Sequence, residues 1–173
     1  MYTKIDLCSM ALLKLGESPI QSLMADVPSA QLARTLFDAI LDALLCVHPW
    51  RFACRDTDLI KNADGEFQIP SECLRVIQAP GDIIGDKIHA PSTRITIRSI
   101  VRVPPESLPE YFIPVLVSKL AMEFCIPLIG EQNIFSMLAA LYETELQTAK
   151  FIDSTSAPNH SRIETFSLIN ARF

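Results

Sequence analysis

Residues 46–55 read "CVHPWRFACR", and their interpretation decides the fold. Ten positions hold the only Trp of the chain, one of its three His and two of its five Cys, between a strongly helical run and a strand-like one. Pro49 disfavours helical backbone at His48, so the preceding helix must stop there. Trp50 and Phe52 are large enough to anchor whatever follows against that helix. The stretch is a structural joint made by Pro49, Trp50 and Phe52. A Cys46–His48 nucleophilic pair is the competing reading, but it needs a third group to orient the imidazole, and no recognisable pattern nearby supplies one.

Upstream of the joint, residues 28–47 place Leu32, Leu36, Phe37, Ile40, Leu41, Leu44 and Leu45 at helical spacing, with Arg34, Asp38 and Asp42 on another face. Residues 3–15 predict a shorter helix. Thr3 with Asp6 three positions on resembles a capping box, Gly16 suits a left-handed C-terminal cap, and Ile5, Cys8, Met10, Ala11, Leu12 and Leu15 form its apolar stripe.

Downstream, from Arg51 to Val103, short apolar runs are broken by the turn sequences "NADGEF", "PSE", "APGD" and "APST". The clearest strand is "RITIRSIVRV" at 94–103. There Ile95, Ile97, Ser99, Val101 and Val103 alternate with Arg94, Thr96, Arg98, Ile100 and Arg102. With residues 51–60, 67–69, 73–79 and 87–90 it predicts a small antiparallel sheet. Arg94, Arg98 and Arg102 form a basic face about 26 Å long. That face can be a solvated surface, a channel-lining track for a DNA backbone, or a set of pairing partners for acidic residues of a neighbouring subunit. Asp56, Asp58, Asp82 and Asp86 fall in predicted loops or strand edges without metal-site spacing.

Helical spacing returns after "PPESLPE". Residues 110–129 carry Phe112, Val115, Leu116, Leu120, Ala121, Phe124 and Cys125, a sector too broad for one packed neighbour, which predicts a helix that is central or faces another subunit. Residues 131–152 carry Ile134, Met137, Leu138, Leu141, Tyr142 and Leu146, with Glu143, Glu145 and Lys150 outward. The fold class is therefore α+β, mainly α. A bundle of about four helices (1–50 and 108–152) holds a small antiparallel β insertion (51–107), and both belong to one domain, 1–152. Residues 153–173 form an extended tail. In it "DSTSAPNHS" is a polar spacer, and "RIETFSLINARF" carries Ile163, Phe166, Leu168, Ile169 and Phe173. Such a segment can fold back on its own core or order on a partner.

The 173 residues carry 15 Lys and Arg against 20 Asp and Glu, net −5. That balance gives no chain-wide footprint for gripping phosphates. Five Cys, none in C-x-x-C spacing, encode neither a disulfide framework nor a zinc ribbon, and they read as reduced, packed thiols. No P-loop, dinucleotide glycine fingerprint, H-E-x-x-H or G-x-S-x-G occurs, so no enzyme activity and no cofactor is expected. The beginning of the sequence does not read as a signal peptide, and no apolar run reaches the ~18 residues a membrane span needs, so a cytosolic chain is expected.

Five blocks then carry a resemblance: "LCSMALLKLGESPIQSL" (7–23), "RTLFDAILDALLCVHPWRFA" (34–53), "FQIPSECLRVI" (67–77), "YFIPVLVSKLAMEFCIPLI" (111–129) and "ALYETELQTAK" (140–150). Together, and in this order, they resemble the head-to-tail adaptor proteins of bacteriophages and gene transfer agents, the tail tubular protein A type. The similarity covers residues 1 to about 152, and "HPWRFA" with "PSECLRVI" is its most specific part. The resemblance implies a non-catalytic virion protein at the head-tail junction, present in the host cytoplasm during assembly. Its subunits would form a ring, usually of twelve, below the portal protein. Free subunits can be monomeric before they meet the portal. The ring would extend the channel through which DNA passes and offer a surface to a tail tube, nozzle or tail-completion protein. It also implies portal docking by the tail, through Ile163, Phe166, Leu168, Ile169 and Phe173. The alternative from another class is a helix-turn-helix DNA binder built from residues 3–15 and 28–47. Against it, the connection is far longer than the 3 to 4 residues of that motif, and the second helix shows Asp38 and Asp42 where a base-reading face would be basic.

Overall fold

The computed structural model describes residues 1–155, and the five tail positions Ile163, Phe166, Leu168, Ile169 and Phe173 lie outside them. Helix α1 (Lys4–Lys14) starts on the expected capping box. The Asp6 amide donates to Thr3 Oγ1 at 3.2 Å and the Thr3 amide donates to Asp6 Oδ2 at 2.8 Å. These bonds, with the one from the Thr3 hydroxyl, hold the Asp6 carboxyl below its ordinary range. The helix ends in a Schellman motif around Gly16, whose φ of 77° suits glycine. The Glu17 amide donates to Leu12 O at 3.0 Å and the Gly16 amide to Leu13 O at 3.1 Å.

Helix α2 (Pro28–Val47) begins with Pro at its first position and stops as Pro49 requires. His48 has left the helix, with φ −141° and ψ 148°. Helix α3 (Ile113–Leu128) is the centre of the bundle, packed by α1, α2 and α4 (Gln132–Thr155). Nine of its residues are buried, from Ile113 to Cys125. Its broad apolar sector is thus filled inside one chain and by itself calls for no neighbouring subunit. Each large side chain fully buried there contributes roughly 1.5–3 kcal/mol. Polar Ser118 is buried on α3 because it accepts from Lys14 Nζ at 2.6 Å and donates to Glu145.

The insertion differs from the single small sheet expected. Six strands, β1 (Cys54–Ile60), β2 (Phe67–Gln68), β3 (Cys73–Gln78), β4 (Asp82–Ile84), β5 (Lys87–His89) and β6 (Arg94–Val101), make two antiparallel sheets, ordered β1-β6-β3 and β2-β5-β4. Strand β6 is long enough to pair on both edges, while the short strands close their own meander through a two-residue turn with Gly85 at φ 64°. Ile95 and Ile97 join Leu59, Phe67 and Ile88 in a second, smaller core. Ile100, grouped by alternation with the arginines, is instead fully buried in the helical core. One strand therefore connects both cores.

Helix α4 runs through Thr155, three residues beyond the expected limit of 152, so Asp153, Ser154 and Thr155 belong to the bundle and not to a spacer. The reason is Asp153, which is 2% exposed and satisfied by the joint. Along α4 only Leu138, Leu146, Ala149 and Asp153 are buried, whereas Met137 and Leu141, expected in the stripe, are exposed.

Candidate functional site

The joint is built where α2 ends, because a chain that stops being helical at His48 must bring Trp50 back under the last turn. Trp50 is fully buried, and its indole Nε1 donates to the Leu44 carbonyl at 3.0 Å. That carbonyl is one of the four that a helix C-terminus leaves without an intrahelical partner. The Trp50 ring meets Phe112 edge-on at 5.0 Å, Phe52 meets Phe112 at 5.1 Å and Tyr111 at 6.2 Å, and His48 meets Trp50 at 4.9 Å. These T-shaped pairs suit the ring quadrupoles. The backbone then hands over to the sheet: Cys54 N donates to Trp50 O at 2.9 Å, and Val101 N donates to Ala53 O at 2.9 Å.

Asp153 completes the joint from α4. Its carboxylate accepts the Arg51 amide at 3.2 Å on both oxygens and the Tyr111 hydroxyl at 2.6 Å, with His48 Nε2 3.6 Å away. Burial first, and then the bond to Asp153, pushes the Tyr111 phenol well above its ordinary range. Sequence reasoning missed Asp153. The available signal was a carboxylate in the last turn of a helix, where the macrodipole disfavours it and where it therefore needs donors of its own.

Pro49, Trp50 and Phe52 are thus brought together with Tyr111 and Phe112 at the start of α3 and with Asp153 near the end of α4. No hydrogen bond joins Cys46 to His48, as a nucleophilic pair would need. The imidazole faces Asp153, and burial raises the Cys46 thiol above its ordinary pKa. Cys8 is pushed further, to about 12, by the same cause. Cys46→Ser and His48→Gln are expected to lower the midpoint of thermal unfolding by no more than a few degrees, as circular dichroism of the full chain would record. Collapse of the transition in either variant would contradict a purely packed joint.

The arginine face occupies β6 and the residue just after it. Arg94 Nη2 lies 2.5 Å from Asp58, Arg98 Nε lies 3.9 Å from Asp56, and Arg102 Nε donates to Asp42 Oδ1 at 2.9 Å. The strand register explains two of these contacts, since Asp56 faces Arg98 and Asp58 faces Thr96 across β1–β6. Asp56 and Asp58, expected in loops or strand edges, lie in β1, an edge strand of its sheet, opposite that face. Thr96 and Arg94 hold the Asp58 carboxyl below its ordinary range. All three arginine side chains remain more than half exposed, so each pair contributes little to stability. The face presents neutralised pairs and no bare cationic track.

Among the described residues no group of three or more His, Cys, Asp or Glu is placed to hold a metal, and no helix is long and apolar enough to cross a membrane. A cleft of about 570 Å³ lies along β3 and the β4–β5 turn, with Gln68, Arg75 and Asp86 at its rim. The Asp86 carboxylate there is occupied by Gln68 Nε2 at 2.8 Å. No family model and no curated protein matches the chain.

Proposed function

We propose that the chain is a structural virion subunit, a head-to-tail adaptor that assembles as a ring below the portal, extends the DNA channel and offers the attachment surface for a tail component. One observation carries this reading. The most specific blocks of the resemblance, "HPWRFA" (48–53) and "PSECLRVI" (70–77), fall on the joint and on β3, where Arg102 N bonds Glu72 O and Cys73 pairs with Val101. The similarity thus lies in residues that set how sheet meets bundle, and not only in apolar periodicity that any helical bundle shares.

The charge pattern is compatible with that role. A net charge of −5, with the arginine face paired internally, leaves little to retain a passing DNA backbone. The helix-turn-helix alternative is weakened further, because Asp38 and Asp42 on α2 are engaged by Lys4 and Arg102.

The test is to mix the purified full chain with portal rings from the same source and to follow light scattering and electron microscopy. A stable stacked ring complex is the expected result, and its absence would sink the adaptor reading. A sequence-specific duplex complex at physiological salt would favour the DNA-binding alternative instead.

A further inference from the structure

The cleft of about 570 Å³ beside β3 runs along the open edge of a sheet. Cys73, Leu74, Arg75 and Val76 line it in unbroken succession. Alternate strand residues point to opposite faces, so four in a row border one cleft only along the edge of their strand. Strand β6 holds the other edge of β3, and none of its residues lines the cleft. Among the described residues no strand pairs with this outer edge. The Cys73 amide there donates to Pro70 O at 2.9 Å, and the edge beyond it is a template for a further strand. Gln68, Ile83 of β4 and the turn at Gly85 and Asp86 form the facing wall, and Ile83 is 49% exposed. The volume lies in the range of clefts that hold ligands.

We propose that this cleft docks a short, extended, acidic segment of a partner protein, which adds to β3 as a fourth strand of its sheet, with an apolar side chain between Val76 and Ile83 and a carboxylate on Arg75. Backbone pairing supplies the affinity of such strand addition, and the side chains along it supply the selectivity. The charge follows from what is left unpaired. Arg75 is exposed and, among the described residues, has no carboxylate within ion-pair distance. The nearby acids are already engaged, Asp86 by Gln68 Nε2 at 2.8 Å and Glu72 by Arg55 Nη1 at 3.1 Å. The free charge on the β3 side is thus positive, and a carboxylate is its complement. Asp86 on the facing wall is held below the ordinary carboxylate range, chiefly by the Gln68 bond, and its charge disfavours a second acid there. The length follows from the strand. Register shifts at Cys73/Arg75 and Val76/Gln78 twist β3, so the long flat strand of a second copy does not follow this edge. A segment of about four residues, about 13 Å at about 3.3 Å per residue, spans the four lining positions. The inference stands apart from the adaptor reading, because an open strand edge accepts a strand whatever the assembly.

The test is selection of a random heptapeptide library, displayed on phage, against the immobilised full chain. The enriched peptides should share β-branched or aromatic residues around one Asp or Glu and lack Pro, as a paired strand demands. A synthetic consensus peptide, followed by fluorescence anisotropy, should bind Arg75→Glu and Ile83→Lys at least about ten-fold more weakly than the unaltered chain. Both positions are exposed, and circular dichroism checks that each variant folds; if one does not, the other carries the comparison. Bound peptide should also slow amide hydrogen exchange at residues 74–78 at least about three-fold. Failure to enrich any consensus would overturn the inference, and so would a basic consensus or binding that both variants keep. Binding without slower exchange at β3 would overturn strand addition. Slowing that appears without peptide and grows with protein concentration would overturn the proposal in favour of a second copy.

Discussion

Trp50→Ala is expected to cost about 3–5 kcal/mol of unfolding free energy, the largest single effect at the joint. The side chain is fully buried among His48, Phe52 and Phe112, so truncation leaves a cavity that four connected segments cannot close together. It also strands the Leu44 carbonyl, which now accepts from the indole. For a chain of this size the loss corresponds to a fall in the unfolding midpoint of roughly 6–20 °C. Circular dichroism during urea and thermal unfolding is the suitable measurement, because the variant loses the only Trp fluorophore. Trp50→Phe keeps most of the packed volume and removes the hydrogen bond, and it should cost about 1–2 kcal/mol. A loss below about 0.5 kcal/mol for the alanine variant would show that the sheet is anchored elsewhere.

The joint was legible because its determinants are local. Pro49 acts on His48 through one peptide unit, the Thr3–Asp6 cap spans three residues, and the α2 stripe repeats within each turn. What escaped depends on partners distant in sequence. Alternation along 94–103 located the strand, but it could not tell that Ile100 leaves the arginine side for the helical core. Nor could it show that Asp56 and Asp58 stand across the ladder from Arg98 and Thr96, since register becomes visible only once β1 and β6 are paired. The division into two sheets has the same origin. Periodicity likewise counted Met137 and Leu141 as core residues of α4, although that helix has chiefly α3 to pack against and can bury only a narrow stripe. For α3 the apolar sector left two possibilities, a central position or a neighbouring subunit, and the rest of the chain fills it.

Asp153→Ala is the second large effect, expected at roughly 2–4 kcal/mol, and it tests whether α4 is tied to the joint by a polar latch. The carboxylate is 2% exposed and satisfies two donors from other segments, the Arg51 amide and the Tyr111 hydroxyl. Removing the acceptor leaves the Arg51 amide without its carboxylate partner, and an unsatisfied buried group costs about 1–3 kcal/mol. Tyr111→Phe removes only one donor and leaves the carboxylate with the Arg51 amide, so it should cost about 1 kcal/mol. In a double-mutant cycle the two changes should couple by at least about 0.5 kcal/mol, because the second cannot remove a bond already lost. Additivity within error would mean that the Tyr111–Asp153 bond carries no net stability and that the aromatic cluster alone fixes α3 to the joint.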